Sequence, residues 1–258
     1  MMTNAASDAV NAITLTDEDV KSLAVQAAQA SDSKFHVAPK NSVYDERLRR
    51  LVADYRNRDA NTFNFKVYLT NDVNAFAMAD GSIRVYSGLM DLMTDEELLF
   101  VIGHEMGHVV EKHSRNKVVL AYASSALRKG LASQNNEVGM VARSMLGGLV
   151  EKLTHAQFSQ HEERQADQYG LAFLKAEGYD RRDAVSALNK LAVLASQHTF
   201  LSSHPDPEAR AKILLSGEKS EAEQQNSTIA TLLSYGKEVL LGCLQLMYSL
   251  INWLLSFL

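Results

Sequence analysis

The chain has 258 residues, 46% of them hydrophobic and 22% charged. That is enough to bury a proper core in one large or two small domains, and it excludes a disordered or collagen-like chain. With 26 Lys+Arg against 31 Asp+Glu the net charge is −5, which argues against a nucleic-acid partner, and the single Cys243 excludes an internal disulfide and any cysteine-based zinc knuckle.

Met1 to Val10 has neither a basic n-region nor an apolar run, so no secretory signal is expected there. Thr16-Asp17-Glu18-Asp19 reads as a helix start, with Thr16 as N-cap and Asp19 at the capping-box position. Val20, Leu23, Ala24 and Ala27 follow at helical spacing. A second helix is expected over Val43 to Tyr55. Phe63, Phe65, Val67 and Leu69 alternate, predicting a strand, and Ile83 to Tyr86 predicts another after the Asp80-Gly81 turn signal. Asn74 to Ala79 can supply a third.

From Thr94 the pattern turns helical. Thr94 and Glu97 form a capping box, and Leu98, Leu99, Val101 and Ile102 lead a helix expected to run from Asp95 to His113. Further helices are expected over Lys117–Leu131, over Val138–Glu177 with Gly178 as its stop, and over Asp183–Ala195. Ser203-His204-Pro205-Asp206-Pro207 is a rigid non-helical patch. Val239 to Leu258 carries no charge and, as a helix of 1.5 Å per residue, matches a bilayer's hydrocarbon thickness. Its Gln245, Ser249, Asn252 and Ser256 fall on one stripe, so membrane contact through residues 239–258 is expected, against the plainer reading of a buried core helix.

The chemistry centres on His104-Glu105-Met106-Gly107-His108. Residues four apart on a helix lie about 40° apart, so His104 and His108 present two imidazoles from one face, as a zinc ion needs. Glu105 lies beside that face, where it can take a proton from a water activated by the metal. Two histidines on an ordinary amphipathic helix are the alternative, but Leu98 to Ile102 would bury them, and burying an unpartnered imidazole pair with a carboxylate is costly. His113, nine residues after His104, is expected to face away from the metal if the helix continues that far.

The third ligand has to come from elsewhere. His155, His161, Glu162, Glu163 and Asp167 are the candidates. Glu163 and Asp167 lie one turn apart, so Glu163 can ligate while Asp167 accepts a hydrogen bond from a ligand histidine and fixes its tautomer. The competing reading is a pair of solvated acids beside Arg164. Ala166 and Gly170 leave room for a close helix–helix approach.

His104-Glu105-Met106-Gly107-His108 with His113, Glu163-x-x-Ala166-Asp167 and His204-Pro205 with Arg210 together resemble the gluzincin metallopeptidase family that includes the CAAX prenyl protease and HtpX. Asn74-Ala75-Phe76-Ala77, Gly81 to Val85 and Ser87-Gly88-Leu89 match the segment that the family places before its metal helix. The likeness covers residues 15 to 215 and is to the envelope lipoproteins of the LoiP type.

The resemblance implies a mostly helical α+β fold: a zincin-like domain with a small sheet packed on the metal helix. It implies one zinc ion per chain on His104, His108 and Glu163, Glu105 as general base and acid, and Asp167 supporting a ligand. It places His204 near the metal, either stabilising the oxyanion or capping the zinc at rest.

The expected organisation is an N-terminal helical segment over 1–60 packed on a catalytic domain over 61–215, a polar linker over 216–238 and an apolar helix over 239–258. The expected function is a zinc endopeptidase acting on unfolded or misfolded proteins of the cell envelope, the cytoplasm being the alternative location. An extended substrate is expected to pair with an edge strand, taken as Ile83, Arg84, Val85 and Tyr86, because backbone pairing accepts many sequences. Plain sheet packing is the alternative for that strand. Residues 114–160, with Gly147-Gly148, are either helical scaffold or a lid. The other functional classes are a metal-bearing chaperone or scaffold with a self-capped site, and zinc hydrolysis of non-peptide substrates.

Overall fold

The computed structural model describes residues 15–121, 157–194 and 199–216, all within one unit of the chain, Met1–Ser216. The expected linker and apolar tail beyond Ser216, and most of the expected lid, lie outside the described residues. Among the described residues no helix is long and apolar enough to cross a membrane.

Helix α1 (Asp17–Lys34) begins as its capping box predicts: the Thr16 hydroxyl accepts the Asp19 N–H and the Asp19 carboxylate accepts the Thr16 N–H. Helix α2 (Val43–Leu51) is shorter than expected. The chain turns after Val52, which sets the Tyr55 ring edge-on against Phe173 with centroids 4.6 Å apart. A small hairpin, β1 (Asn57–Arg58) with β2 (Asn61–Thr62), was not foreseen; Asp59 and Ala60 both take positive φ at its turn, where the sequence has no glycine.

The main sheet contains β3 (Asn64–Tyr68), β4 (Ala75–Ala77) and β5 (Ser82–Tyr86) in the order β3-β5-β4. β3 runs parallel to β5 with Phe65 opposite Ile83, and β4 runs antiparallel with Phe76 opposite Arg84. The two-residue period sorts the side chains. Val67, Ala75, Ile83 and Val85 enter the main core, while Tyr68, Phe76 and Tyr86 join Ala24, Ala27 and Ala28 of α1 in a second cluster.

Ile83, Arg84, Val85 and Tyr86 therefore do not form an edge. β5 is the middle strand, buried along its whole length and hydrogen-bonded on both sides, so it has no backbone edge to offer a substrate. A strand covered on both faces loses the alternation that marks an exposed one.

Helix α3 (Ser87–Leu92) leads into α4 (Asp95–Val110), which starts on the predicted Thr94–Glu97 capping box. Every residue of α4 from Glu97 to Val109 is buried. It packs on β4 and β5, on α5 (Gln160–Ala176) and on α6 (Arg181–Val193). α4 stops at Val110 rather than at His113: Lys112 takes a left-handed φ of 61° and a new helical stretch runs over 113–121. α5 is likewise not a continuation of one helix from Val138. Residues 157–159 are non-helical, and Ser159 caps a fresh start, its hydroxyl accepting the Glu162 N–H. A short helix α7 (Phe200–Ser203) and α8 (Pro207–Ser216) complete the described chain.

Candidate active site

Helix α4 carries His104, Glu105 and His108 towards α5, and small residues let the two backbones approach. A Cβ on Gly107 would lie 3.0 Å from the Ala166 Cα, and one on Gly170 would lie 3.0 Å from the His104 nitrogen. Any larger residue at either position pushes the helices apart. This closeness brings Glu163 of α5 between the two imidazoles.

His104 Nε2 and His108 Nε2 are 3.0 Å apart, and they lie 3.6 and 3.4 Å from the two Glu163 carboxylate oxygens. The edge of a tetrahedron with metal bonds of 2.0–2.1 Å is about 3.3–3.4 Å. The three side chains thus already stand at the spacing of ligands around one divalent ion. His204 joins them: its Nδ1 is 3.2 Å from His104 Nε2 and 3.0 Å from Glu163 Oε1. Donor atoms of all four residues fall within 4.8 Å of one another. Of the other candidates for third ligand, Glu162 is spent capping Ser159, Asp167 binds the far side of His104, and His155 lies outside the described residues.

Glu105 stands next to this group rather than in it. Its Oε1 is 3.4 Å from His204 Nε2, and among the described residues its oxygens accept no side-chain hydrogen bond. Burial, followed by the Glu163 charge, pushes its carboxyl well above the usual carboxylate range. Burial also acts upward on Glu163, but Arg210 and His204 more than offset it and hold that carboxyl well below its ordinary value. Asp167 is held low in the same way, burial being outweighed by Arg210 and His104. Burial keeps His108 well below the ordinary imidazole range and lowers His204 to about 4, so both imidazoles are neutral with lone pairs to give.

The His104 and His108 imidazoles are each held from behind. His104 Nδ1 is 2.9 Å from Asp167 Oδ1, and Arg210 binds both Asp167 oxygens at 2.8 and 2.6 Å while also contacting Glu163. His108 Nδ1 is 3.1 Å from His113 Nδ1. The expectation that His113 faces away is therefore wrong. It rested on a helix continuing through residue 113, and the left-handed Lys112 swings His113 back. Phe158 stacks on His108 at 3.6 Å, Phe200 stacks on His204 at 4.5 Å, and the Phe158 N–H donates to the Ser203 carbonyl. Lys117 Nζ sits 3.0 Å from the centroid of the Phe158 ring, and burial lowers its ammonium to about 7.

Sequence reasoning missed Phe158, Lys117 and Gln165, none of which carries a pattern of its own. Arg210 was visible only as part of a resemblance. His113 was visible but misplaced.

Comparison with known proteins bears on this geometry. The chain is 44% identical over 209 residues to the metalloprotease LoiP of Escherichia coli, covering 80% of this chain and 83% of that one. It is 38% identical over 208 residues to the metalloprotease YcaL of the same organism, covering 80% and 82%. It is 26% identical over 185 residues to the E. coli beta-barrel assembly-enhancing protease, covering 67% of this chain and 38% of that one. Residues 40–218, which include every side chain of the cluster, match peptidase family M48, and the chain belongs to that family as a metalloendopeptidase.

Proposed function

We propose that the protein is a zinc endopeptidase, with His104, His108 and Glu163 as metal ligands, Glu105 as proton carrier, and His204 as an internal ligand that covers the metal at rest. The observation that carries this reading is the convergence of His104 Nε2 and His108 Nε2, 3.0 Å apart, on the Glu163 carboxylate, whose Oε2 and Oε1 lie 3.6 and 3.4 Å from them respectively. Two imidazoles and one carboxylate form a donor set that suits zinc and leaves a position open to water.

Zinc held there supplies Lewis acidity, polarising a peptide carbonyl and acidifying a water. Glu105 takes the proton of the attacking water and hands it to the leaving amine. Among the described residues its two oxygens carry no side-chain hydrogen bond that would compete for that proton. Asp167 and Arg210 fix the His104 ring so that its Nε2 faces the ion. Phe158 and Phe200 keep bulk water off the ligand rings. The ligand residues, Glu105 and His204 are at most 1% exposed, so a substrate enters only after His204 and the segment that carries it withdraw.

The strand suited to pairing with that substrate is β4 rather than β5. Tyr86 N–H donates to Asn74 O and Met78 N–H to Ser82 O, so residues 74 and 78 face β5 and alternation turns the backbones of Ala75 and Ala77 away from it, on a strand packed against α4, where the Ala77 carbonyl accepts the Ser114 hydroxyl at 3.2 Å until a substrate displaces it. Backbone pairing of this kind suits unfolded or misfolded proteins of varied sequence. The name of the beta-barrel assembly-enhancing relative agrees with a role in envelope quality control. In this reading residues 61–215 carry the catalysis, 1–60 pack upon them, 216–238 act as a linker and 239–258 contact the membrane.

The test is hydrolysis of an unfolded casein-type substrate by wild type and by Glu105→Gln, with zinc content measured in both. The expected outcome is chelator-reversible cleavage by wild type and a loss of about 10²–10⁴-fold in the variant with its zinc retained. Full turnover by Glu105→Gln overturns the peptidase mechanism. Zinc uptake without cleavage by wild type favours the chaperone or scaffold reading, which the buried position of His204 also suits.

A further inference from the structure

The two metal-facing histidines are supported by different chemistry. Behind His104 stands an anion, Asp167, clamped by Arg210. Behind His108 stands a neutral chain. His108 Nδ1 is 3.1 Å from His113 Nδ1, and His113 Nε2 is 3.1 Å from Gln165 Oε1. His113 is 4% exposed and His108 is fully buried, so neither ring can exchange these partners for water.

We propose that His113 is a positioning residue that sets the tautomer of His108, with Gln165 setting the tautomer of His113 in turn. This rests on the zinc reading given above. The proton inventory along the chain has one solution compatible with metal binding. A carboxamide oxygen only accepts, so it takes the His113 Nε2–H. A neutral imidazole has one N–H, so His113 Nδ1 is left with a lone pair. That lone pair accepts the Nδ1–H of His108, and His108 Nε2 is left bare towards Glu163 and His104. Were the Gln165 amide turned round, its NH₂ would donate to His113 Nε2. His113 would then donate from Nδ1, and His108 would carry its proton on Nε2, where it cannot ligate. The orientation of one amide two turns of chemistry away thus decides whether the second ligand is available.

The break in α4 has a function in this light. Nine residues after His104 on a continuous helix, His113 would lie on the opposite side. The left-handed turn at Lys112, a conformation that a non-glycine residue adopts at a cost, restarts the helix at 113 and returns the ring to His108. Gln165 reaches the far nitrogen because it lies on α5 between the ligand Glu163 and Asp167. One helix turn therefore supplies a ligand and the supports for both histidines.

The experiment compares zinc affinity, by competition with a chromophoric chelator, in wild type, His113→Leu and His113→Asn. The asparagine Oδ1 falls where the histidine Nδ1 lies and can accept the same proton, whereas leucine fills the space and accepts nothing. His113→Leu is expected to bind zinc about 10–100-fold more weakly, the range found on removing such supports, and His113→Asn to stay close to wild type. Equal affinity in His113→Leu, or equal loss in both variants, overturns the proposal, the second because it means His113 only packs. A wild-type protein that takes up no zinc overturns the metal reading itself, so the two failures are distinct. Should the leucine variant not fold, ¹⁵N-histidine spectra of the zinc-loaded wild type decide the matter. Protons on His108 Nδ1 and His113 Nε2 are expected, and a proton on His113 Nδ1 overturns the assignment.

Discussion

Two clusters of buried charge are built on opposite plans. Under α1, Asp32 accepts from Arg84 at 2.7 and 3.0 Å, from Lys66 at 2.7 Å and from the Tyr68 hydroxyl at 2.7 Å. Arg84 spends its remaining nitrogen on the Asn64 carbonyl at 2.9 Å. Both carboxylate oxygens are saturated, so that cluster is complete without help. Between α4 and α5, three buried carboxylates (Glu105, Glu163 and Asp167) meet one buried guanidinium, Arg210, and among the described residues neither Glu105 oxygen accepts a side-chain hydrogen bond. The same buried groups that specify the sheet when fully paired make a reactive site when left short of partners. Incompleteness, more than burial or charge, separates the candidate active centre from the structural cluster.

Breaking the complete cluster is expected to have the largest effect on stability and none on the site. Asp32→Ala strands Arg84, which is 2% exposed, and should cost about 3–5 kcal/mol, read as a lower urea midpoint. Zinc affinity, measured in the folded fraction, should not change. Asp167→Asn tests the other plan. It removes the anion behind His104 and should weaken zinc binding about 10–100-fold, equivalent to roughly 1.4–2.7 kcal/mol. If Asp32→Ala weakens zinc binding as much as Asp167→Asn does, the two clusters are not separate devices.

The contrast also shows what could be read from the chain alone. Much that is governed by short-range rules was legible. Thr16 and Thr94 cap where they should, Gly178 takes φ 82° just beyond the end of α5, and the four-residue spacing of His104 and His108 puts both rings on one face. What failed depended partly on distant packing and partly on local turns and caps that were passed over. Ile83 to Tyr86 looks like a strand from its residues, but whether it lies at an edge depends on β3 and β4 flanking it. His113 was placed by helical arithmetic that a single left-handed Lys112 cancels, and neither glycine nor asparagine marks that turn. Phe158 was lost inside a helix expected to run on from Val138, although Ser159 with Glu162 is the same capping pattern that was recognised at Thr94. Arg210 binds Asp167 across 43 positions of sequence, a separation at which no local rule operates.

The smallest expected effect lies in acid, and it sharpens the contrast by isolating the complete cluster. Burial pushes the Asp32 carboxyl up, but the hydrogen bonds from Arg84, Lys66 and Tyr68 outweigh it, and the group is held below its ordinary value. A carboxyl with a depressed folded pKa binds fewer protons in the native state than in the unfolded one. Its stabilisation is therefore complete above the unfolded pKa, near 3.9, and is lost as pH falls through the folded value. Asp167 and Glu163 are also held low, so wild-type stability should fall in acid for reasons drawn from both clusters. Asp32→Asn keeps the shape and removes only one contributor. Urea midpoints of wild type and Asp32→Asn should differ most near neutrality and converge as pH drops below about 4. A gap that stays constant down to the acid limit means that the Asp32 charge contributes nothing beyond its shape, and that the sheet cluster is held by hydrogen bonding alone.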